Sequence, residues 1–178
     1  GDWVPTPTAV DGSAGVTAEI ISGDAPSPGG GECLKMTSTG SEIYLSRVMQ
    51  ENYNATTQVL TGSIVNTNLN STVLTGRSTN QYRVSVFVKT ENLGEGVKPY
   101  LEVSFKSAST LYGDYDVYSK EIVTNGEWTE IDCVFTIPDF IIYQGSGKPR
   151  SYQIRLHLPG SGTVYWDHVR VWTDDFNY

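Results

Sequence analysis

The ten residues QYRVSVFVKT, Gln81 to Thr90, decide how this chain is read. Tyr82, Val84, Val86 and Val88 recur at every second position, and Arg83, Ser85, Phe87 and Lys89 fill the positions between. A β-strand sends alternate side chains to opposite faces, so the valines mark a core face and the second set points outward. Two further stretches repeat the pattern. YLEVSFKS turns Leu101, Val103 and Phe105 inward and Tyr100, Glu102, Ser104 and Lys106 outward. SYQIRLHL places Tyr152, Ile154, Leu156 and Leu158 inward and Gln153, Arg155 and His157 outward.

Working outward from these three, strand-like runs also occur at 16–22, 33–38, 42–49, 71–75, 117–123, 128–137 and 162–172. Turn signals rich in Gly, Pro, Asn and Ser separate them: SGDAPSPGGG, STGS, NLGEG, TNGEW, QGSGKPR and PGSG. Short strands at hairpin spacing, without a window of 3.6-residue periodicity, describe an all-β chain: a β-sandwich or jelly roll of about ten antiparallel strands. One segment, Glu51 to Leu60, is ambiguous and could hold a short helix. No repeat or linker divides residues 1–178, which read as a single domain.

Composition agrees. A chain of 178 residues buries roughly 70% of the surface its unfolded form exposes, enough for a core without metal or disulfide support. Twelve Lys and Arg against twenty Asp and Glu give a formal charge of −8, which argues against nucleic acid or an anionic membrane as partner. No apolar run reaches the ~20 residues of a membrane span, so membrane insertion is not expected. With neither an initiating Met nor a signal peptide, the sequence reads as a mature protein or an excised module. Cys33 and Cys133 both fall in strand-like runs, and a bridge and two buried thiols fit equally well.

The last long run, GTVYWDHVRVW, Gly162 to Trp172, raises a question of charge. Strict alternation puts Asp167 on the same face as Tyr165, Val169 and Val171, so a carboxylate points inward where an unpaired charge costs several kcal/mol. It needs backbone N–H donors, an Arg, or a cation. Ca²⁺ takes six to eight oxygens, and Asp167 with loop carbonyls from SPGGGE and the Glu32 carboxylate could supply them.

The order of a Gly-rich loop into GECLKM, then QYRVSVFVKT, a WT-opened strand in GEWTEIDCVFTIP, YQIRLHL and GTVYWDHVRVW resembles the carbohydrate-binding modules of families 4, 9, 16 and 22. The likeness runs over about residues 15 to 172, and its sharpest part is Tyr165-Trp166-Asp167-His168-Val169. It implies a galactose-binding-like β-sandwich, a structural calcium held by Asp167, a polysaccharide ligand and a covalently linked catalytic domain. It also implies a secreted or cell-surface location, in bacteria. GDWVPTPTAV departs from the pattern, because the calcium-ligating Glu of the family's N-terminal stretch is not recognisable there.

Sugars present an apolar C–H face and a rim of hydroxyls, which proteins meet with aromatic rings and with planar polar groups such as Arg and Gln. Two locations offer that mixture. A cleft across one sheet nominates Phe87, Glu102, Gln153, Arg155 and His157, with Tyr44 and Arg47 of YLSR beside them. Loops nominate Tyr112, Tyr115 and Tyr118 of LYGDYDVY, and Tyr143. Catalytic signatures are missing: the two histidines form no HExxH, the cysteines no CxxC, and neither a GxSxG elbow nor a P-loop appears. The expectation is therefore a binding module and not an enzyme. A structural or protein-interaction sandwich is the alternative; a polysaccharide lyase built on Arg155, His157 and Tyr115 comes third. Trp128 reads as a core anchor.

Overall fold

The computed structural model describes residues 3–23, 31–54, 59–62, 72–75, 81–105, 115–136 and 149–173, with side chains described over 3–23, 31–47, 83–104, 116–134 and 153–170. Among the described residues there are twelve strands: β1 (Val4–Thr6), β2 (Val16–Ser22), β3 (Glu32–Ser38), β4 (Ile43–Asn54), β5 (Val59–Gly62), β6 (Thr72–Thr75), β7 (Gln81–Glu91), β8 (Tyr100–Phe105), β9 (Tyr115–Tyr118), β10 (Thr129–Thr136), β11 (Pro149–Leu158) and β12 (Gly162–Thr173). They form two antiparallel sheets. One has seven strands in the order β6-β5-β4-β11-β8-β9, with β1 on the flank of β4; the other has five, β10-β7-β12-β3-β2. The expected β-sandwich is therefore the fold, with β1 and β5 added to the strands legible in the sequence. The segment considered for a helix is strand on both sides of 55–58, since β4 runs to Asn54 and β5 pairs back on it.

The core lies between the two inner faces. From the seven-stranded sheet come Ile43, Leu45, Leu101, Val103, Ile154, Leu156 and Leu158, and from the other Val16, Met36, Val84, Val86, Val88, Ile131, Cys133, Val164 and Trp166, all buried. Full burial of one such aliphatic side chain is worth about 1.5–3 kcal/mol, and period-two alternation in β7, β8 and β11 supplies half of the core residues. Cys133 faces this core, where burial pushes its thiol up to about 12. Cys33 is buried too, but by alternation lies with Lys35 and Thr37 on the opposite face, three strands away, and the cysteines are unbridged.

Two turns fix how the long strands meet. Asn125 and Gly126 both have positive φ, 50° and 87°, the conformation of the tightest hairpin turns, and Gly126 donates its N–H to the Thr90 carbonyl at 2.8 Å. Gly162 opens β12 at φ 131°, where a Cβ would meet the Leu93 Cα at 2.8 Å, so only glycine fits.

Candidate functional site

Alternation along β4, β8 and β11 delivers a polar and aromatic cluster to the outer face of the seven-stranded sheet. His157 is paired in register with Tyr44 on one side and Tyr100 on the other; Arg155 with Ser46 and Glu102; Gln153 with Ser104. Neighbouring strands stand about 4.8 Å apart, so the rings of the first row meet across the sheet, His157 stacked on Tyr100 and tilted 32° against Tyr44. His157 and Tyr100 lie 4.3 Å apart and 10° from parallel, and Tyr44 lies 4.9 Å from His157 on its other side. Tyr100 also meets Tyr118 of β9 edge-on at 5.7 Å, and the Arg155 guanidinium sits 5.5 Å over the Tyr44 ring.

Beside the rings the charges are joined. Glu102 accepts from Arg155 Nη1 at 3.1 Å through Oε1 and contacts His157 Nε2 through Oε2, while Glu42 Oε1 lies 3.0 Å from His157 Nδ1. Gln153 Oε1 accepts from Arg155 Nε at 3.1 Å and Nη2 at 2.9 Å. Glu102 is only 3% exposed and His157 4%, so this network is a buried floor. The rim is open: Tyr118 is 57% exposed, and Glu42 and Asp116 are exposed. A guanidinium carries about five N–H donors, and three are engaged in the network among the described residues. Burial, helped by Glu42 and Glu102, pushes the Tyr100 phenol up to about 12, and burial with Asp116 raises that of Tyr118. Both hydroxyls therefore stay protonated and able to donate at neutral pH.

Of the nominated sugar-binding residues, the structure gathers Tyr44, Glu102, Gln153, Arg155 and His157 of the sheet set, and Tyr118 of the loop set, in this cluster. Two are elsewhere. Arg47 is in register with Ile154 and shares its strand face with Ile43 and Leu45, so alternation turns it to the core side, opposite Tyr44. Phe87 belongs to β7 in the five-stranded sheet, on the far side of the sandwich, because the three alternating strands do not share one sheet as the cleft reading assumed. Tyr112 and Tyr143 lie outside the described residues; for Tyr115 only the backbone is described, paired with Phe105. The nominations missed Tyr100 and Glu42. Tyr100 was already on the outward face of YLEVSFKS, and Glu42 stands two residues before Tyr44, so the signal was present but the strand neighbours were not.

The closing strand differs from its reading. Its pairing with β7 shifts between Asp167 and Arg170, a β-bulge, and His168 takes φ 56°. One extra residue inverts the alternation: Val164 and Trp166 face the core before the bulge, Val169 packs against it after, and Asp167 stands in register with Phe87 on the outer face. Asp167 is thus not the inward carboxylate of strict alternation. Its Oδ1 accepts the His168 N–H at 2.7 Å, and burial pushes its pKa up against that bond. Glu32 is exposed, opposite Ser22, and the β3–β12 ladder ends at Trp166 and Leu34, short of both carboxylates. Among the described residues no three His, Cys, Asp or Glu side chains gather to hold a metal. Residues 24–30, which belong to the loop expected to supply carbonyls, lie outside them. Trp128, read as a core anchor, packs instead on the outer face, edge-on to Tyr165 at 6.4 Å with the Lys89 ammonium 5.4 Å over its ring.

No protein-family model matches the chain, and no curated protein matches it. Solved structures do. A family 16 carbohydrate binding module, module 2, superposes with a TM-score of 0.55 at 16% identity, over 96% of this chain and 89% of its own. The C-terminal family 22 carbohydrate binding module of Clostridium thermocellum Xyn10B gives 0.55 at 13% identity over 100% and 89%. This chain has the fold of these modules. The same fold matches part of larger proteins: 26% of the C. thermocellum xylanase 10B family 22 and family 10 modules complexed with xylohexaose, at TM-score 0.52, 17% identity and 99% of this chain. It also matches 19% of the bacteriophage CBA120 tailspike protein 4 enzymatically active domain, at TM-score 0.56, 9% identity and 97% of this chain.

Proposed function

We propose that the chain is a non-catalytic carbohydrate-binding module whose ligand lies across the outer face of β4, β11, β8 and β9. The observation that carries this is the cluster of Tyr44, His157 and Tyr100 rings beside Arg155, over a pre-satisfied floor. Tyr118 offers a ring face to sugar C–H groups, and Arg155, Gln153 and the tyrosine hydroxyls meet the hydroxyl rim. Glu42, Glu102 and Asp116 against one Arg make the surface acidic, so a neutral glycan fits it better than a polyanion. The likeness to family 16 and family 22 modules supports this reading.

His157 has both ring faces and both nitrogens engaged and is nearly inaccessible, which suits it to holding the surface rigid and not to proton transfer. The module serves to keep a covalently attached polysaccharide-degrading enzyme, secreted or on the cell surface of a bacterium, near its substrate. Tethering raises local concentration and tolerates a weak module. Affinity electrophoresis through β-glucan, xylan, mannan and acidic polysaccharide gels tests this. Retardation by a neutral glycan, weakened in Arg155→Ala, is expected; no retardation in any gel overturns it, and release of reducing ends from a polysaccharide overturns the non-catalytic part.

The proposal includes a structural calcium at Asp167. A partly buried carboxylate with one N–H donor keeps lone pairs for a cation, and backbone oxygens would complete the shell. A chelator is then expected to lower the melting temperature of the wild type but not of Asp167→Asn; equal melting of the wild type with and without chelator excludes the ion.

A further inference from the structure

The outer face of the five-stranded sheet, on the far side of the sandwich from the proposed glycan cluster, carries a cavity of about 340 Å³ lined by Arg83, Ser85, Glu130, Asp132 and Arg170. Its construction follows from register. Asp132 of β10, Ser85 of β7 and Arg170 of β12 form one cross-strand row. Arg83 pairs with Asp132 at 3.6 Å, and Arg170 reaches across β7 to Glu130. Only a small residue at position 85 lets that guanidinium cross the middle strand.

Ser85 is the informative residue. It is 1% exposed, and its hydroxyl oxygen is buried with no hydrogen-bond partner, although a hydroxyl both donates and accepts. Buried polar atoms are nearly always satisfied, so one left open at the floor of a polar cavity points to a ligand that completes it. The cavity's charges balance, two guanidinium groups against two carboxylates, so neither an anion nor a cation is favoured. A neutral group able to donate to a carboxylate and accept from the paired guanidinium is favoured, and a vicinal diol of a sugar ring does both at once.

We propose that this cavity is a second saccharide subsite, which binds a sugar residue through its diol with Ser85 as the floor contact, and makes the chain bivalent for a polysaccharide. It rests on the carbohydrate reading for the class of ligand, but its residues are separate from the first cluster. Two sites on opposite faces would bridge two glycan chains and strengthen retention without a stronger contact at either.

The test titrates the full chain with xylohexaose and with cellohexaose, followed by amide chemical shifts. Shifts in β7, β10 and β12 are expected to persist in Arg155→Ala, which silences the first cluster, and to weaken at least tenfold in Asp132→Asn and in Ser85→Ala. Ser85→Ala should also raise the melting temperature, because it removes an unsatisfied hydroxyl. If Ser85 is merely a spacer for Arg170, its alanine variant binds like the wild type, and the subsite fails. Shifts confined to β4, β8, β9 and β11 sink the subsite and leave the proposed function standing. Shifts confined to β7, β10 and β12 do the reverse, and no shift with either probe sinks the subsite, while retardation in a glycan gel then decides the proposed function separately.

Discussion

The two outer faces of the sandwich use the same residue types to opposite ends. On the seven-stranded sheet, Arg155 and Glu102 have side chains 19% and 5% exposed and are joined with Gln153 and His157 in one hydrogen-bonded network. On the five-stranded sheet, Arg83 and Asp132 are 35% and 48% exposed around a cavity. Charge in a low dielectric is expensive unless every partner is present, whereas an exposed pair gains little and costs little. The pairs of the first face are therefore costly to break, and those of the second are not.

The largest expected effect tests that contrast directly. Glu102→Ala strands Arg155 and His157 in a buried site and should cost about 3–5 kcal/mol in urea unfolding. Asp132→Ala on the other face should stay within about 1 kcal/mol. Equal losses at the two positions would erase the distinction between the faces.

A middle-sized effect is expected at the bulge, which sets what the five-stranded face displays. His168→Val places a β-branched residue at φ 56° and should destabilise by about 1–2 kcal/mol, whereas His168→Gly should be nearly neutral, by the same unfolding measurement. If valine is tolerated like glycine, the bulge does not hold Asp167 outward.

The smallest effect is alkaline. Tyr100 is pushed up to about 12 by burial and by Glu42 and Glu102. In the unfolded chain a phenol titrates near about 10, so the fold gains from the neutral form below that pH and loses the gain as pH rises toward the folded value. Stability measured from pH 9 to 12 should fall less steeply in Tyr100→Phe than in the wild type. Parallel slopes would mean that Tyr100 is as wet as an ordinary surface tyrosine.

Much of this was legible in the chain. Val84, Val86 and Val88, Leu101 and Val103, and Ile154, Leu156 and Leu158 announce themselves by alternation, and all are core. The outward companions Glu102, Gln153, Arg155 and His157 are equally visible, because pleating is local: each residue's face depends only on its neighbours in the chain. The same local rule misassigned Asp167, since a bulge adds a residue without any mark in GTVYWDHVRVW, and every face beyond it inverts.

Sequence alone therefore determined the fold class and, along the regularly alternating strands, which side chains leave the core, both products of short-range pleating and burial. Which strands lie side by side is decided by long-range pairing, which no local pattern encodes. Only the tertiary structure separates Phe87 from Arg155 and places Tyr100 and Tyr44 on either face of His157. It alone joins Asp132, Ser85 and Arg170 in one row.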